Sequence, residues 1–260
     1  MSKTLPAYPE GHNLLAGKNV LVTAAAGTGI GFATARRCAE EGATVILSDR
    51  HARRVGESAD RLAEITGTRP QTCICDVTVQ GQVDAMFAFA AAQTGGIDVL
   101  INNAGLGGTA NLADMSDAQW NHVLDVTLTG TMRCMRAALQ HMTPRGKGAI
   151  VNNASVLGWR AQKGQSHYAA AKAGVMALTR CAAVEAADHG IRINAVAPSL
   201  AMHPFLAKVT TEELLNELTS REAFGRAAAP WEVANVIVFL ASDYASYMTG
   251  EILAVSSQRA

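Results

Sequence analysis

Hydrophobic and polar segments alternate along this chain with a regular pattern. Short runs of β-branched and aliphatic residues are separated by longer segments whose apolar residues recur at helical spacing. The strand-like runs are residues 19–24, 43–48, 71–75, 98–103, 148–153, 192–196 and 251–255. The helical segments lie near residues 29–41, 52–65, 79–93, 116–142, 166–188 and 230–241. This pattern predicts an α/β fold, a doubly wound parallel sheet covered by helices on both faces, as one domain over residues 18–260.

Two segments depart from the alternation. Residues 1–17 hold Pro6, Pro9 and Gly11 and no long apolar run, which predicts a surface arm and not a secretory signal. Residues 198–225 separate the sixth strand from the last helix and include an amphipathic stretch, residues 210–224. Long excursions of this kind are usually functional, so we expect a lid over the substrate.

One helix carries clear end signals. For the segment near 166–188, Ser166 is the expected N-cap, and Gly190 stands just past the end.

Composition narrows the possible partners. With 49% hydrophobic and 17% charged residues the chain is not disordered, and 22 basic against 22 acidic residues give no net charge to attract nucleic acid. The longest apolar run, residues 85–92, is too short to span a membrane. The odd, scattered set of five cysteines favours the reducing cytoplasm and offers no metal site, and Cys73 and Cys75 are interpreted as strand core.

The first strand leads into a glycine-containing turn, TAAAGTGIG, residues 23–31. Glycines between a strand and a helix let the backbone approach a pyrophosphate, and the helix N-terminus supplies free N–H groups. The expected cofactor contacts here are Thr23, Gly27, Gly29 and Ile30. The spelling is not G-x-G-x-x-G, so the context carries the argument.

Asp49, which ends the second strand 20 residues after Gly29, favours NAD as the cofactor. A carboxylate there binds the ribose hydroxyls and repels a 2′-phosphate. Arg50, Arg53 and Arg54 follow at once and keep NADP as the alternative.

Polar residues also end the third and fourth strands, at Asp76-Val77 and at Asn103-Ala104-Gly105. Ligands of open α/β sheets bind at this carboxyl edge, so these residues are further candidates for the cofactor site.

The chemistry of a proton transfer is suggested after the fifth strand. Ser155 is followed by Tyr168 and, one helical turn later, by Lys172, so the phenol and the ammonium share a helix face. A cation near a phenol lowers its pKa, which would prepare Tyr168 for acid/base work. Ser155 can then hydrogen-bond the reacting oxygen, and Lys172 can hold the nicotinamide ribose.

Together these motifs resemble the short-chain dehydrogenase/reductase family from Gly17 to Gly250, through residues 23–31, Asp76-Val77, NNAG at 102–105, Ser155, YxxxK at 168–172 and the run ending at Pro198. The resemblance implies a seven-stranded Rossmann sheet, transfer of a hydride with NAD(H) or NADP(H), and a homotetramer. Within the family the chain is similar to the actinobacterial enzymes that act on a bicyclic indanone propanoyl-CoA in steroid breakdown. NNASVLGWRAQ, SHYAAAKAGVMALTR, EAFGRAA and the final QRA carry that likeness.

Four positions differ from the family pattern. Ala24 replaces the first glycine of the turn, and Thr127 stands where relatives have an asparagine that holds a water for proton relay, so a hydroxyl substitutes there or the relay is rebuilt. After Pro198, a cofactor-contact position, Ser199 and His203 replace the usual Gly and Thr, and His203 is interpreted as a loop residue near the cofactor.

Three other side chains near the motif have weaker indications. Arg160 could pair with a substrate phosphate or carboxylate or form a surface salt bridge. Trp159 lies where the body of a substrate would pass. His167 is expected on a different helix face from Tyr168.

The sequence therefore predicts an NAD-dependent enzyme that interconverts a secondary alcohol and a ketone on a small-molecule substrate, and the resemblance implies that this substrate is an acyl-CoA. Two alternatives stay open. One is a 3-oxoacyl thioester reductase that uses NADPH, and the other is a catalytically silent nucleotide sensor on the same fold.

Overall fold

The chain forms one twisted parallel sheet in a computed structural model that describes residues 4–202 and 211–258. In these residues the sheet has seven strands in the order β3-β2-β1-β4-β5-β6-β7, all neighbours being parallel. The strands are β1 (Asn19–Val22), β2 (Thr44–Asp49), β3 (Gln71–Ile74), β4 (Val99–Asn102), β5 (Gly148–Asn153), β6 (Ile191–Pro198) and β7 (Ile252–Val255). The predicted seven-stranded, doubly wound sheet is confirmed.

Helices cover both faces of the sheet. They are α1 (Ile30–Glu40), α2 (Ala52–Thr66), α3 (Gln80–Thr94), α4 (Asp117–Leu124), α5 (Gly130–Met142), α6 (Ser166–Ala187), α7 (Glu212–Ser220) and α8 (Pro230–Ala241). The helix expected over 116–142 is interrupted by a π-helical turn at Asp125–Thr129 between α4 and α5. Periodicity alone could not reveal that turn, because a single extra residue per turn hardly disturbs the spacing.

The five inner strands, β2, β1, β4, β5 and β6, are largely buried on both sides, which explains why they appear in the sequence as nearly continuous hydrophobic runs. Leu21, Ile46 and Leu100 belong to the core on one face, whereas Val22 and Leu47 belong to the core on the other. Successive strand residues thus face opposite layers, as the pleat requires. A polar residue at the end of such a strand is then an exception that calls for a local explanation.

The N-cap expectation for α6 was wrong. Ser166 is the first helical residue, the N-cap is Gln165, and no side chain caps the helix there. The Gln165 side chain instead donates to the backbone of another loop, described below. Past the other end, Gly190 has φ +66°, the left-handed conformation expected of a glycine that stops a helix.

The N-terminal segment is attached to α1 by specific contacts. The Tyr8 ring lies edge-on to Trp231, with centroids 5.4 Å apart, and the guanidinium of Arg36 covers its face at 4.5 Å. The buried carboxylate of Glu41 pairs with Arg37 and accepts hydrogen bonds from the backbone N–H of residues 12 (2.8 Å) and 14 (3.0 Å). The arm therefore covers an ion pair.

The segment expected to form a lid, residues 198–225, contains α7, and its far end is fixed to the C-terminal strand. The carboxylate of Glu222 accepts from the Ser257 hydroxyl (2.8 Å) and backbone N–H (3.2 Å). Residues 203–210, and with them His203, lie outside the described residues. Among the helices that are described, none has the length and apolar character needed to cross a membrane.

Candidate active site

The sheet reverses its strand order between β1 and β4, and the candidate site lies at the carboxyl ends of these strands. The chain proceeds from β1 outward to β3, then returns to place β4 on the other side of β1. Loops that leave the two strands therefore diverge and open a crevice, which is where open α/β sheets bind ligands.

The loop after β1 adopts the shape that close approach to a ligand requires. Ala24, at the position where the family pattern has glycine, has φ +48°, an unfavourable conformation for a residue with a Cβ. Gly31 has no room for a side chain, since a Cβ would lie 2.3 Å from the Ala24 oxygen and 2.5 Å from Nδ2 of Asn103. The substitution at residue 24 therefore preserves the turn at an energetic cost.

The start of α1 is open for a ligand. Gly29 is its N-cap and Ile30 its first residue, and no side chain caps the helix. Gly27, with φ +90°, is held from α2: its N–H donates to the Ser58 hydroxyl at 3.0 Å, and its carbonyl accepts from the guanidinium of Arg61. The free N–H groups and the positive helix end suit an anion such as a pyrophosphate.

The second and third strands end in a pocket of about 190 Å³. Its lining brings together six of the predicted cofactor residues, namely Thr23, Asp49, Asp76, Val77, Ala104 and Gly105. Asp49 is nearly buried, and its carboxylate accepts from the His51 N–H at 3.0 Å. A fixed carboxylate at this point can receive the two hydroxyls of a ribose.

The arginines beside Asp49 differ in their availability. Arg53 is exposed and pairs with Glu57 at 3.0 Å, whereas Arg50 and Arg54 both line the pocket. Arg50 also donates to the His51 ring at 3.2 Å. Arg50 and Arg54 are therefore the cations placed to meet a 2′-phosphate.

Two of the predicted cofactor contacts, Thr23 and Asp76, also form hydrogen bonds within the protein. The Thr23 hydroxyl accepts from the N–H groups of Asn103 (3.0 Å) and Ala104 (3.1 Å) and so joins β1 to β4. The Asp76 carboxylate accepts from the Thr78 N–H (2.9 Å) and hydroxyl (2.7 Å), and these bonds lower the pKa of Asp76. Both residues shape the crevice whether or not they touch a ligand.

Ser155, Tyr168 and Lys172 come together at the end of β5 and the start of α6. A hydrogen bond joins the Ser155 side chain and the Tyr168 phenol, and Nζ of Lys172 lies 5.5 Å from the centre of the Tyr168 ring. Lys172 is only 3% exposed. The three side chains predicted for catalysis therefore share one space.

The expectation that Lys172 lowers the pKa of Tyr168 was wrong for this structure. Burial raises the pKa of Tyr168, and the hydrogen bond with Ser155 only partly counters it. Burial also lowers the pKa of Lys172 to about 8, which weakens its ability to stabilise a phenolate. In this state Tyr168 carries its proton at neutral pH and is equipped to act as an acid.

The strand ends contain a ladder of asparagines that the sequence analysis did not recognise. The main-chain oxygen of Asn153 accepts from Nζ of Lys172. Its side-chain amide donates to Oδ1 of Asn103 at 3.0 Å, and the Asn103 amide donates to the Ala24 oxygen at 3.0 Å. This chain of bonds connects Lys172 to the glycine loop. Its signal in the sequence is the dipeptide NN at the ends of both β4 and β5.

Thr127, predicted as a catalytic residue, is fully buried in the π-helical turn. Its hydroxyl donates to the Leu106 carbonyl at 3.0 Å and accepts from the Leu106 N–H at 2.9 Å. Both bonds go to Leu106, so Thr127 supports the loop after β4, and its part in a proton relay stays a prediction.

The structure also shows the surroundings of His167 and Arg160, two residues near Tyr168 in the sequence. His167 is buried and was expected on another helix face, yet it lies against Gly108 while Tyr168 lies against Gly107, so both meet the same loop. The guanidinium of Arg160 donates to the Gln258 side chain, a neutral partner, and no described acidic residue pairs with it.

The residues of this crevice fit a nicotinamide dinucleotide. The α1 terminus lacks a side-chain cap, Oδ1 of Asn153 is buried without a partner beside Lys172, and Gly31 lets α1 pack directly against Ala24 and Asn103. The first two features are expected where a ligand supplies the missing partners, and the third is the close packing that a dinucleotide-binding turn requires. Pro198 ends β6 at the same edge of the sheet, four strands away from β2, which carries Asp49.

Comparison with known proteins agrees with this geometry. Residues 24–257 match the family described as enoyl-(acyl carrier protein) reductase. The chain is 61% identical over 255 residues, 97% of each chain, to the (5R,7aS)-5-hydroxy-7a-methyl-1-oxo-2,3,5,6,7,7a-hexahydro-1H-indene-carboxyl-CoA reductase of Mycobacterium tuberculosis. It is 45% identical to the cis-4-hydroxycyclohexanecarboxylate dehydrogenase of Sinomonas cyclohexanicum, with 92% of this chain and 95% of the relative covered.

A solved structure extends the likeness to the whole fold. A short chain dehydrogenase from Mycobacterium smegmatis superposes with a TM-score of 0.89 at 56% identity, with 99% of both chains covered. Sequence, fold and the order of the motifs thus agree, and the alternative of a silent nucleotide sensor is not retained. The chain belongs to the short-chain dehydrogenase/reductase family and is an oxidoreductase that uses NAD(P).

Proposed function

We propose that this enzyme interconverts a secondary alcohol and a ring ketone on a bicyclic, steroid-derived acyl-CoA, with NAD(H) as its cofactor. The observation that carries the proposal is the convergence of Ser155, Tyr168 and Lys172 at the end of β5, next to the nucleotide crevice. The substrate class follows from the 61% identity to the M. tuberculosis reductase over nearly the whole chain.

In this mechanism the protein binds the carbonyl oxygen of the substrate and transfers one proton to it. When bound, the reduced nicotinamide supplies a hydride to the carbonyl carbon. Tyr168 donates its phenolic proton to the carbonyl oxygen as the negative charge develops there, and its raised pKa keeps that proton available. Ser155 donates a hydrogen bond to the same oxygen and stabilises the charge further. In the oxidative direction the phenolate accepts the proton from the alcohol.

Lys172 acts on the cofactor side of the site. One of its three protons is directed at the Asn153 carbonyl, which leaves two donors for the hydroxyls of the nicotinamide ribose. Asn153 fixes the direction of the ammonium, and through Asn103 it fixes the edge of the glycine loop. The lysine therefore holds the ribose in register with the phenol.

NAD(H) is proposed over NADP(H) because of Asp49. Its carboxylate suits the ribose hydroxyls and repels a 2′-phosphate, while Arg50 and Arg54 are the residues of the pocket that could offset that repulsion. The other predicted cofactor contacts, namely Thr23, Gly27, Gly29, Ile30, Asp76, Val77, Asn103, Ala104, Gly105, Pro198 and His203, stay predictions, as does the catalytic role of Thr127. So do the homotetramer, the cytoplasmic location and the lid over residues 198–225.

The test is a turnover screen of the purified protein with both cofactors. Ring ketones are presented as the propanoyl-CoA ester of a methyl-substituted indanedione, and linear ketones as acetoacetyl-CoA. We expect faster consumption of NADH than of NADPH and a higher kcat/KM for the bicyclic ester. Preference for acetoacetyl-CoA with NADPH would instead make the protein a 3-oxoacyl thioester reductase.

A further inference from the structure

The loop after β4 is fixed against the start of α6. The side-chain amide of Gln165 donates to the Gly108 carbonyl at 2.7 Å, and the Ala110 N–H donates to the Gly164 carbonyl at 3.1 Å. On its other side the same loop is held by Thr127 through Leu106. The segment 106–110 is thus a fixed wall next to Tyr168.

Two adjacent glycines in this wall, Gly107 and Gly108, are exposed, and their backbone does not explain why they are glycines. Neither has a φ in the left-handed region, whereas Gly164 on the facing loop does, with φ +75°. Residues with side chains can therefore adopt the conformations of Gly107 and Gly108 without strain. What glycine provides at these two positions is space.

The space borders the catalytic side chain directly. A Cβ at Gly107 would lie 3.7 Å from Cδ2 and 3.9 Å from Cε2 of Tyr168, which is ordinary contact with the ring edge. A Cβ at Gly108 would lie 3.2 Å from Nε2 of the buried His167, so His167 forms the floor below the second glycine. The first atoms of any side chain at residue 107 would therefore cover the approach to the phenol and not penetrate the core.

The proton transfer from the Tyr168 phenol determines which part of the substrate passes through this space. A substrate oxygen that receives the Tyr168 proton must lie about 2.7 Å from the phenolic oxygen, so the carbons on either side of the carbonyl pass close to the ring edge. In every ketone the carbonyl and its two neighbouring carbons lie in one plane. A linear ketone can rotate the atoms beyond those carbons away from the wall, whereas a fused ring fixes them.

We propose that Gly107 is a specificity-determining residue that clears the wall beside Tyr168 for a fused-ring ketone. The inference rests on the proposed function for the position of the substrate oxygen. It adds that a single residue on the loop after β4 discriminates ring ketones from linear ones. Gly108 extends the same bare surface over His167.

The experiment compares the kcat/KM of two CoA esters in four proteins, so that the contribution of CoA cancels in the ratio. The substrates are the methyl-indanedione propanoyl-CoA ester and acetoacetyl-CoA. The proteins are the wild type, Gly107→Ala, Gly107→Leu and the control Gly81→Leu. Gly81 is exposed in α3, has no left-handed φ, and would meet no atom within 4 Å if it carried a Cβ.

We expect Gly107→Leu to lower the ratio of the bicyclic to the linear kcat/KM by about 100-fold, and Gly107→Ala by about 5-fold, amounts typical of a steric change next to the reacting atoms. NADH affinity and thermal midpoint should stay at wild-type values in both variants, and Gly81→Leu should leave the ratio unchanged. If Gly107→Leu fails to fold, the smaller shift with Gly107→Ala still decides the question.

Three results would overturn the inference. An unchanged ratio in a folded Gly107→Leu protein would mean that the glycine clears nothing. Equal losses for both esters would mean that residue 107 supports the site without discriminating. A wild-type enzyme that reduces acetoacetyl-CoA but not the bicyclic ester would overturn the proposed substrate class and this inference with it, whereas an active wild type with an unshifted ratio overturns this inference alone.

Discussion

The ammonium of Lys172 donates to the main-chain carbonyl of Asn153, while the side chain of the same asparagine donates to Asn103. Asn153 thus connects α6 to the end of β4, which borders the crevice. Lys172 is buried with a neutral partner, and this has consequences for stability as well as for the proposed turnover.

The first prediction concerns the proton donor. Tyr168→Phe removes the hydroxyl and keeps the ring, so kcat should fall by about 10³ in both directions, within the range for loss of a general acid. The affinity for NADH, measured by fluorescence titration, should not change. Tyr244→Phe, at an exposed position, is the matched control. Wild-type turnover by the Tyr168 variant would refute the assigned role.

The second prediction follows from the buried charge of Lys172. Its pKa in the folded protein is about 8, against 10.5 for an ordinary lysine, so the unfolded chain binds more protons between these two values of pH. Below pH 8 the cost of burying the charge is fully present. It declines as the folded protein loses the proton and is absent above about pH 10.5, so this group makes stability rise with pH.

Lys172→Met should therefore be inactive, and the difference between its free energy of unfolding and that of the wild type should depend on pH. Removal of the charge stabilises the fold most at pH 7, and that advantage should shrink by about 1 kcal/mol at pH 9. Urea titrations at the two pH values measure it. Lys163→Met, which changes an exposed lysine, should give no such trend. A difference that is the same at both pH values would contradict the burial argument.

The third prediction concerns the asparagine ladder. Asn153→Leu keeps the approximate volume but leaves Oδ1 of Asn103 without its donor. Because loss of one buried hydrogen bond costs about 1 kcal/mol, NADH affinity should weaken about 5- to 10-fold. Isothermal titration of the cofactor is the measurement, and Asn121→Leu on the exposed side of α4 is the control. Unaltered affinity would show that the ladder does not reach the cofactor site.

The fourth prediction concerns cofactor choice. Asp49→Asn retains an oxygen to accept from the His51 N–H and removes the negative charge. NADPH should bind about 10-fold more tightly and NADH more weakly, because repulsion of the 2′-phosphate is relieved and the ribose loses a charged acceptor. Dissociation constants for both cofactors measure the change, with Asp84→Asn on α3 as a control. Tighter NADPH than NADH binding by the wild type would reverse the proposed preference.

The sequence predicted much of this fold, because buried parallel strands and amphipathic helices have distinct periods. It also brought Ser155, Tyr168 and Lys172 to one place, since two of them lie one helical turn apart. The direction of the Tyr168 pKa shift could not be predicted in the same way. It depends on how deeply the phenol and the ammonium are buried, and no local pattern records that depth.

The roles of Thr127 and Asn153 illustrate the same limit. In both cases one side of the bond is a main-chain group: the Thr127 hydroxyl meets the backbone of Leu106, and the carbonyl of Asn153 itself accepts from the ammonium of Lys172. A bond made by a main-chain group leaves no mark on residue type. Likewise, the residue at the N-cap of α6 is Gln165, whose amide donates to the Gly108 carbonyl and does not cap the helix.

The contacts of the N-terminal arm determine where this protein can be shortened. Removal of all residues before Lys18, by proteolysis or truncation, would take away the two backbone donors to Glu41. The Arg37–Glu41 pair would then be open to water on one side. Loss of the partners of a buried charge strongly destabilises a fold. Affinity tags and fusion partners therefore belong ahead of Tyr8, with the arm left whole, if the enzyme is to be handled in its stable form.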